Sequence, residues 1–110
     1  MTREEFWPYY VSQHLNPTNR SLHFAGTTLG LACLACAAFA GRPLFLLIGL
    51  VSSYGLAWTG HFFFEKNSPA TFRYPLLSLQ ADFRMYALMW KGEMSGEVAR
   101  LGPTVSALRR

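Results

Sequence analysis

The chain has 110 residues, about the size of one small domain. Hydrophobic residues make up 51% of it and charged residues only 15%, whereas an average soluble domain carries about 25% charged residues. This composition excludes a disordered chain and argues against an ordinary soluble protein. The formal net charge is +4, but the basic residues form no continuous run, so we expect a membrane surface rather than nucleic acid as the partner.

The N-terminal segment combines a helix-capping pattern with a proline. Thr2 and Glu5 have the spacing of a capping box, but Pro8 disfavours a straight helix from residue 3. We therefore predict a short helix over residues 8–14. The aromatic side chains around it are typical of a membrane–water interface.

Two stretches without formal charge fill the middle of the chain, at residues 22–40 and 43–64. At a rise of 1.5 Å per residue, each is long enough to cross a hydrocarbon core of about 30 Å. Only Gly41 and Arg42 separate them, and Pro43 suits a first helical turn. The pattern predicts a tight antiparallel transmembrane hairpin, with a soluble hairpin buried in an oligomer as the alternative.

The basic residues favour one side of this hairpin. Arg42 alone lies at its tip, whereas six basic residues flank it: Arg3, Arg20, Lys66, Arg73, Arg84 and Lys91. Under the positive-inside rule, we expect an integral membrane protein with both termini in the cytoplasm. A homo-oligomer is possible, through the face that carries Gly26 and Gly30 or through the outer leucine-rich faces.

The chain beyond the hairpin divides into a periodic segment and a sparse one. In residues 76–91 five apolar side chains recur at helical spacing, which predicts an amphipathic helix on the cytoplasmic surface: Leu76, Leu79, Phe83, Tyr86 and Trp90. Residues 92–110 hold too few apolar side chains to define a core, so we expect a mobile or loosely docked tail. The predicted fold is all-α, with one membrane domain over residues 1–91.

Two histidines lie at matching depths of the predicted hairpin. His23 precedes Gly41 by 18 residues and His61 follows it by 20, so equal rise per residue brings both imidazoles to nearly the same level. Small residues at four-residue spacing indicate the faces on which the two helices approach each other. These small residues are Gly26 and Gly30 in the first stretch, and Gly49, Ser53 and Ala57 in the second.

Further polar residues are expected at the same layer. The turn signal Asn16-Pro17 can fold His14 back towards the pair of histidines. Glu65 follows His61 by four residues and is predicted as a fourth ligand or as an acceptor for an imidazole N–H. Arg20 begins the first spanning helix, where it either binds a substrate carboxylate or a lipid headgroup, or snorkels to the surface.

Three neutral imidazoles with at most one carboxylate predict a metal site at His14, His23 and His61. Such ligands suit Fe(II) with open coordination positions, although Zn or Mn fits the same nitrogens. Two other classes remain open. One is a b-type haem protein with two histidine ligands, although helices packed this closely would leave little room for a porphyrin. The other is a non-enzymatic membrane scaffold whose histidines are simply polar.

Two blocks of the sequence resemble a known family. They run from His14 to Gly26 and from Trp58 to Ala70, and the second contains the pattern Gly-His-x3-Glu-x3-Pro-Ala. Together they resemble the small membrane-protein family that includes the eukaryotic endoplasmic-reticulum 2-hydroxy fatty acid dioxygenase, over about residues 4–91. The likeness is to a short, bacterial-type member, which implies a bacterial inner membrane.

The resemblance implies an Fe(II)-dependent enzyme of fatty-acid α-oxidation. Such an enzyme shortens a 2-hydroxy fatty acid by one carbon with molecular oxygen, and its iron would be held by His14, His23 and His61. The sequence has three histidines and therefore no fourth imidazole for the ligand set. The resemblance therefore leaves Glu65 or water to complete the ligand set, with Glu65 and Arg20 as the candidate catalytic residues.

Overall fold

The computed structural model describes residues 1–102, and every regular element in that range is helical. The α-helices are α1 (Arg3–Ser12), α2 (Pro17–Ala40), α3 (Leu44–Thr59), α4 (Pro75–Trp90) and α5 (Met94–Arg100). A π-helical turn (Gly60–Glu65) continues α3 directly, and a short 3-10 turn (Ala70–Phe72) precedes α4. The all-helical fold class is thus confirmed.

Helix α1 begins earlier than the sequence predicts. The Thr2 hydroxyl oxygen accepts the Glu5 N–H at 3.1 Å and the Thr2 N–H donates to Glu5 Oε1 at 3.4 Å, which completes a capping box. Pro8 lies inside the helix, where it removes the N–H that would bond the Glu4 carbonyl. Because Glu4 is exposed in the first turn, water can satisfy that carbonyl, and the predicted start at residue 8 was wrong.

Helices α2 and α3 pack against each other in antiparallel orientation through small residues. A Cβ on Gly26 would lie 2.8 Å from the Ser53 carbonyl oxygen, and a Cβ on Gly49 would lie 2.8 Å from Cys33 Cβ. Neither glycine therefore has room for a side chain, which confirms the prediction that the small-residue faces meet. The face of α2 that carries Gly26 is thus occupied by α3 of the same chain.

Two helices of the described chain are long and apolar enough to span a membrane: Pro17–Ala40 and Leu44–Glu65. They match the predicted stretches 22–40 and 43–64 to within a few residues. Only 11% and 17% of their apolar stretches are buried inside the protein. The core helix of a soluble protein is mostly buried, so this outward-facing apolar surface favours a membrane environment.

The buried apolar core is built by the shorter helices. Its members come mainly from α1, α4 and the segment after Gly92: Phe6, Trp7, Tyr10, Val11, Ala70, Ala81, Met85, Met94 and Leu101. Helix α4 corresponds to the predicted helix at 76–91. It buries Ala81 and Met85, while much of its apolar stripe stays exposed, including Leu76 at 74% and Trp90 at 67%.

The segment after Gly92 differs from the expected loose tail. Met94–Arg100 forms a helix, and Met94 is 3% exposed in the core. Trp7 Nε1 donates to Glu97 Oε1 at 2.9 Å, which ties α5 to α1. A few large side chains at its ends, rather than a periodic stripe, thus suffice to dock this short helix; residues 103–110 of the predicted tail lie outside the described residues.

Candidate metal centre

Three buried histidines from separate parts of the chain meet at the end of the α2–α3 pair that lies opposite the loop joining the two helices. His14 follows α1, His23 lies in α2 and His61 lies in the π-helical turn, and their exposed fractions are 1%, 7% and 2%. Their ring centroids are 4.6 to 4.8 Å apart, with the planes nearly perpendicular. One ring nitrogen of each lies within 4.8 Å of the others. The structure therefore brings all three predicted residues together.

His14 is held by the turn between α1 and α2. Its Nδ1 donates to the Tyr10 carbonyl oxygen at 2.7 Å, and its ring stacks on the Tyr10 ring with centroids 4.0 Å apart. Arg20 Nη1 donates to the carbonyl oxygens of His14 and Leu15, both at 2.8 Å. Arg20 thus fixes the backbone that carries His14, whereas its predicted binding of a carboxylate or lipid headgroup stays a prediction.

His61 is held by an asparagine that the sequence analysis did not select. Its Nδ1 donates to Asn67 Oδ1 at 2.7 Å, and Asn67 Nδ2 donates to the Gln13 carbonyl oxygen at 3.1 Å. This second bond fixes the amide so that its oxygen faces the imidazole. The π-helical turn lets the chain after His61 fold back, and such turns occur frequently at functional sites.

Gly60 allows the π-helical turn to approach α2 closely. A Cβ on this residue would lie 2.1 Å from Asn19 Oδ1, so no other residue type fits without displacing Asn19. Asn19 is fully buried one helical turn before His23. The glycine of the Gly-His pair therefore brings the element that carries His61 against the helix that carries His23.

His23 faces a carboxylate from α4. Its Nδ1 lies 3.9 Å from Asp82 Oδ1, and the same oxygen accepts a hydrogen bond from the Tyr10 hydroxyl. Burial raises the pKa of Asp82 to about 6, and burial followed by the charge of Asp82 raises the pKa of Tyr10. Asp82 was missed by the sequence analysis, although it is the only aspartate in the chain and interrupts the apolar face of α4.

The Nε2 atoms of His14 and His23, on the far side of each ring from Nδ1, are suited to bind a metal ion. Nε2 of His14 and Nε2 of His23 are buried and have no hydrogen-bond partner among residues 1–102. Burial lowers the pKa of His14, with further lowering from His23 and His61, so its imidazole is neutral. A neutral imidazole whose Nδ1–H is held by an oxygen acceptor presents Nε2 to a metal.

Distances within the cluster are compatible with a shared ion. Nitrogens bound at about 2.1 Å to one metal lie roughly 3.0 to 3.4 Å apart. Since the ligand atoms here lie within 4.8 Å of one another, shifts of less than about 1 Å in each side chain would close the set. Two buried, unpaired nitrogens and the spacing of the three imidazoles are thus compatible with a metal ion held by three nitrogens.

Family comparison agrees with this arrangement. The chain matches the model of the 2-hydroxy-palmitic acid dioxygenase Mpo1-like family over residues 1–94. The chain belongs to this family. No curated protein and no solved structure matches the chain. The Mpo1-like match contains the whole histidine cluster together with Asn67 and Asp82, whereas most of α5 lies beyond it.

In this Mpo1-like chain, Glu65 ends the π-helical turn, and its side chain contacts the start of α2. Its Oε1 accepts the Asn16 N–H at 2.8 Å and an Asn19 Nδ2 hydrogen at 3.1 Å. It is not a member of the three-histidine group, because the π-helical turn between His61 and Glu65 alters the i, i+4 relation on which its placement rested. A direct role of Glu65 at a metal stays a prediction.

Two connected cavities adjoin the histidines. The smaller has a volume of about 10 Å³, room for about one water molecule, and is lined by all three imidazoles, Tyr10, Ser78 and Asp82. Ser78 Oγ is buried there without a hydrogen-bond partner among residues 1–102. The larger cavity, about 370 Å³, shares His23 and Asp82 with it and has mainly apolar walls. The site thus combines a small polar chamber with a long apolar extension.

Proposed function

We propose that this chain is an Fe(II)-dependent dioxygenase of fatty-acid α-oxidation, which shortens 2-hydroxy fatty acids by one carbon with molecular oxygen. The observation that carries the proposal is the cluster of His14, His23 and His61, in which two buried Nε2 atoms have no hydrogen-bond partner among residues 1–102. Membership of a family described by 2-hydroxy-palmitic acid dioxygenase activity supports the substrate class.

In this proposal His14, His23 and His61 hold the metal through their Nε2 atoms. When bound, Fe(II) supplies the one-electron chemistry by which dioxygen reacts with an organic substrate, and it leaves open positions for that substrate. Zn and Mn suit the same three nitrogens, so the identity of the metal is part of the proposal rather than a property of the ligands.

The surrounding residues of the chain position the imidazoles and the substrate. The Tyr10 carbonyl oxygen and Asn67 Oδ1 accept hydrogen bonds from Nδ1 of His14 and of His61, which fixes the orientation of these two rings, and Asp82 Oδ1 lies 3.9 Å from Nδ1 of His23. Ser78 Oγ, unpaired in the same cavity among residues 1–102, is available to bind a carboxylate or hydroxyl of the substrate. Arg20 adds a positive charge beside His14 that attracts the carboxylate.

A membrane location is part of the same proposal. The two long apolar helices would span the bilayer, and the basic residues that flank them would keep both termini in the cytoplasm, in a bacterial inner membrane. The histidine cluster would then lie near the cytoplasmic interface, where the charged end of a fatty acid sits while its tail stays in the hydrocarbon.

The haem alternative conflicts with the third imidazole. Two axial histidines of a haem leave the equatorial plane to the four porphyrin nitrogens. The His14 ring centroid lies 4.7 Å from that of His23 and 4.6 Å from that of His61, which puts it where the porphyrin would have to pass. A non-enzymatic scaffold would not require the Nε2 atoms of His14 and His23 to be buried without a hydrogen-bond partner among residues 1–102.

Oxygen consumption tests the proposed activity. The protein is purified without oxygen in detergent, loaded with Fe(II), and supplied with 2-hydroxyhexadecanoic acid, hexadecanoic acid or no acid. We expect oxygen uptake and a product one carbon shorter, seen by mass spectrometry, only with the 2-hydroxy acid. His61→Ala is the matched inactive control. An iron-loaded protein that leaves the 2-hydroxy acid unchanged would contradict the proposal.

A further inference from the structure

The larger cavity is a groove along the two long helices. Its apolar walls come from three elements: Leu31 and Leu34 of α2, Leu46 and Leu50 of α3, and Leu79 and Phe83 of α4. Gly30 and Gly49 also line it, at the point where α2 and α3 approach most closely. Because these glycines let α2 and α3 touch, the groove runs along the surface of the helix pair, beside α4, rather than between the two helices. We name this feature the α2–α3 groove.

One end of the α2–α3 groove opens on the histidine cluster. His23, Tyr54, Ala57 and Asp82 line both the groove and the smaller cavity that contains the three imidazoles. A molecule that extends through this shared boundary would place a polar end among the histidines and an apolar end along the surface of the two helices. The groove therefore continues the candidate metal site rather than forming a separate pocket.

The length of the α2–α3 groove matches a long acyl chain. From His23 to Leu34 there are eleven residues of helix, as there are from Ala57 back to Leu46, and each interval rises about 16.5 Å. A hydrocarbon core of about 30 Å gives each leaflet about 15 Å, the span of an ordinary lipid tail of about 16 carbons. A tail of 10 carbons covers proportionally about 9 Å and stops well before Leu46.

We propose that the α2–α3 groove binds the acyl tail of the substrate, with the terminal methyl group between Leu34 and Leu46, and that these two leucines set the chain length the protein accepts. The inference rests on the proposed function for the identity of the head group. The occupant is a single acyl chain of about 16 carbons, because the groove is apolar, as long as one such chain is in a bilayer leaflet, and open to the metal site.

A matched pair of tryptophan variants tests the chain-length limit. Leu46 and Leu47 are neighbours in α3 with exposed fractions of 50% and 56%, but only Leu46 lines the groove. Each methylene kept out of an apolar site costs roughly fourfold in affinity, so excluding two of them costs about 15-fold. We expect Leu46→Trp to lower the ratio of kcat/KM for 16-carbon to 10-carbon 2-hydroxy acids by about that factor, and Leu47→Trp to leave the ratio as in the unchanged protein.

An equal ratio in both variants and the unchanged protein would overturn the inference. If Leu46→Trp does not fold, the second pair is Leu34→Trp, which lines the groove, and Leu29→Trp, which does not. Their exposed fractions of 53% and 45% are again similar, so the comparison remains matched. A lower ratio in Leu34→Trp alone would support the groove, and an equal ratio in Leu34→Trp, Leu29→Trp and the unchanged protein would overturn it.

Photolabelling separates this inference from the proposed activity. The probe is a 16-carbon 2-hydroxy acid with a diazirine at its terminal carbon, added to the full-length protein in detergent and mapped by mass spectrometry. We expect label on Leu34 and Leu46, assigned residue by residue from peptide fragment masses because Leu46 and Leu47 are adjacent, and its loss with excess unlabelled 16-carbon acid. Competed labelling without turnover would refute the proposed function and keep the groove. Labelling that excess acid does not reduce, or that favours Leu47, would refute the groove.

Discussion

Replacement of Asn67 by alanine is expected to loosen the metal site without removing a ligand. Asn67 Oδ1 accepts the His61 Nδ1 proton at 2.7 Å, and its Nδ2 donates to the Gln13 carbonyl oxygen at 3.1 Å. Asn67→Ala removes both bonds, which costs about 2 kcal/mol of folding free energy at roughly 1 kcal/mol each. Loss of such a partner of a metal-binding histidine typically lowers metal affinity by about 10- to 100-fold.

Two further variants make the Asn67 experiment specific. Asn67→Asp keeps an oxygen acceptor for the imidazole, so we expect its metal affinity to stay above that of Asn67→Ala by at least about tenfold. Ser68→Ala changes the exposed neighbouring residue and serves as the control for local disturbance. Affinity is measured by competition with a chromogenic chelator, alongside circular dichroism to verify the helical content. Asn67→Ala that folds and binds metal within about twofold of the unchanged protein would refute this account of His61.

Three further outcomes follow from the helix contacts. Gly60→Ala should lower stability by about 1–3 kcal/mol, because its Cβ would meet Asn19 Oδ1 at 2.1 Å, whereas Gly55→Ala, which has open space, should not; thermal unfolding distinguishes them. A hydrogen bond from Arg100 within α5 and one from Trp7 of α1 lower the pKa of Glu97 to about 2, so the stability these bonds give to α5 is present above the ordinary pKa near 4.5 and is lost as pH falls towards 2. Hydrogen exchange in α5, corrected for intrinsic pH effects, should rise over that range, and Glu97→Gln should abolish this pH dependence. Cysteines at Ser95 and Arg42 should react with impermeant reagents from opposite sides of the membrane, and reaction from the same side would refute the hairpin.

The helix pair and the meeting of its histidines could be predicted because they depend on local regularities. A constant rise per residue makes the depth of His23 and His61 an arithmetic result, and small residues at four-residue spacing mark the contact face. Gly26 and Gly49 do lie at that contact in the structure. The turn at Asn16-Pro17 is equally local, so it also predicted that His14 returns to the same layer.

The other features depend on tertiary packing, or on the balance between local effects that favour and disfavour a helix. Asp82 reaches His23 only because α4 packs back against α1 and α2, which no spacing in the sequence expresses. Glu65 was placed by α-helical periodicity, but the turn that precedes it is π-helical. At α1, the capping box outweighed the penalty of Pro8, and the relative size of two such terms cannot be read from the pattern alone.

The metal content of the purified protein tests the central claim most directly. Elemental analysis after gentle purification, followed by Fe(II) titration, is compared for the unchanged protein, the His23→Ala, His61→Ala double variant, and the Cys33→Ala, Cys36→Ala double variant. We expect one metal ion per chain in the unchanged protein and in the cysteine variant, and none in the histidine variant. Metal retained at one per chain without His23 and His61 would contradict it, as would an unchanged protein that binds no divalent metal.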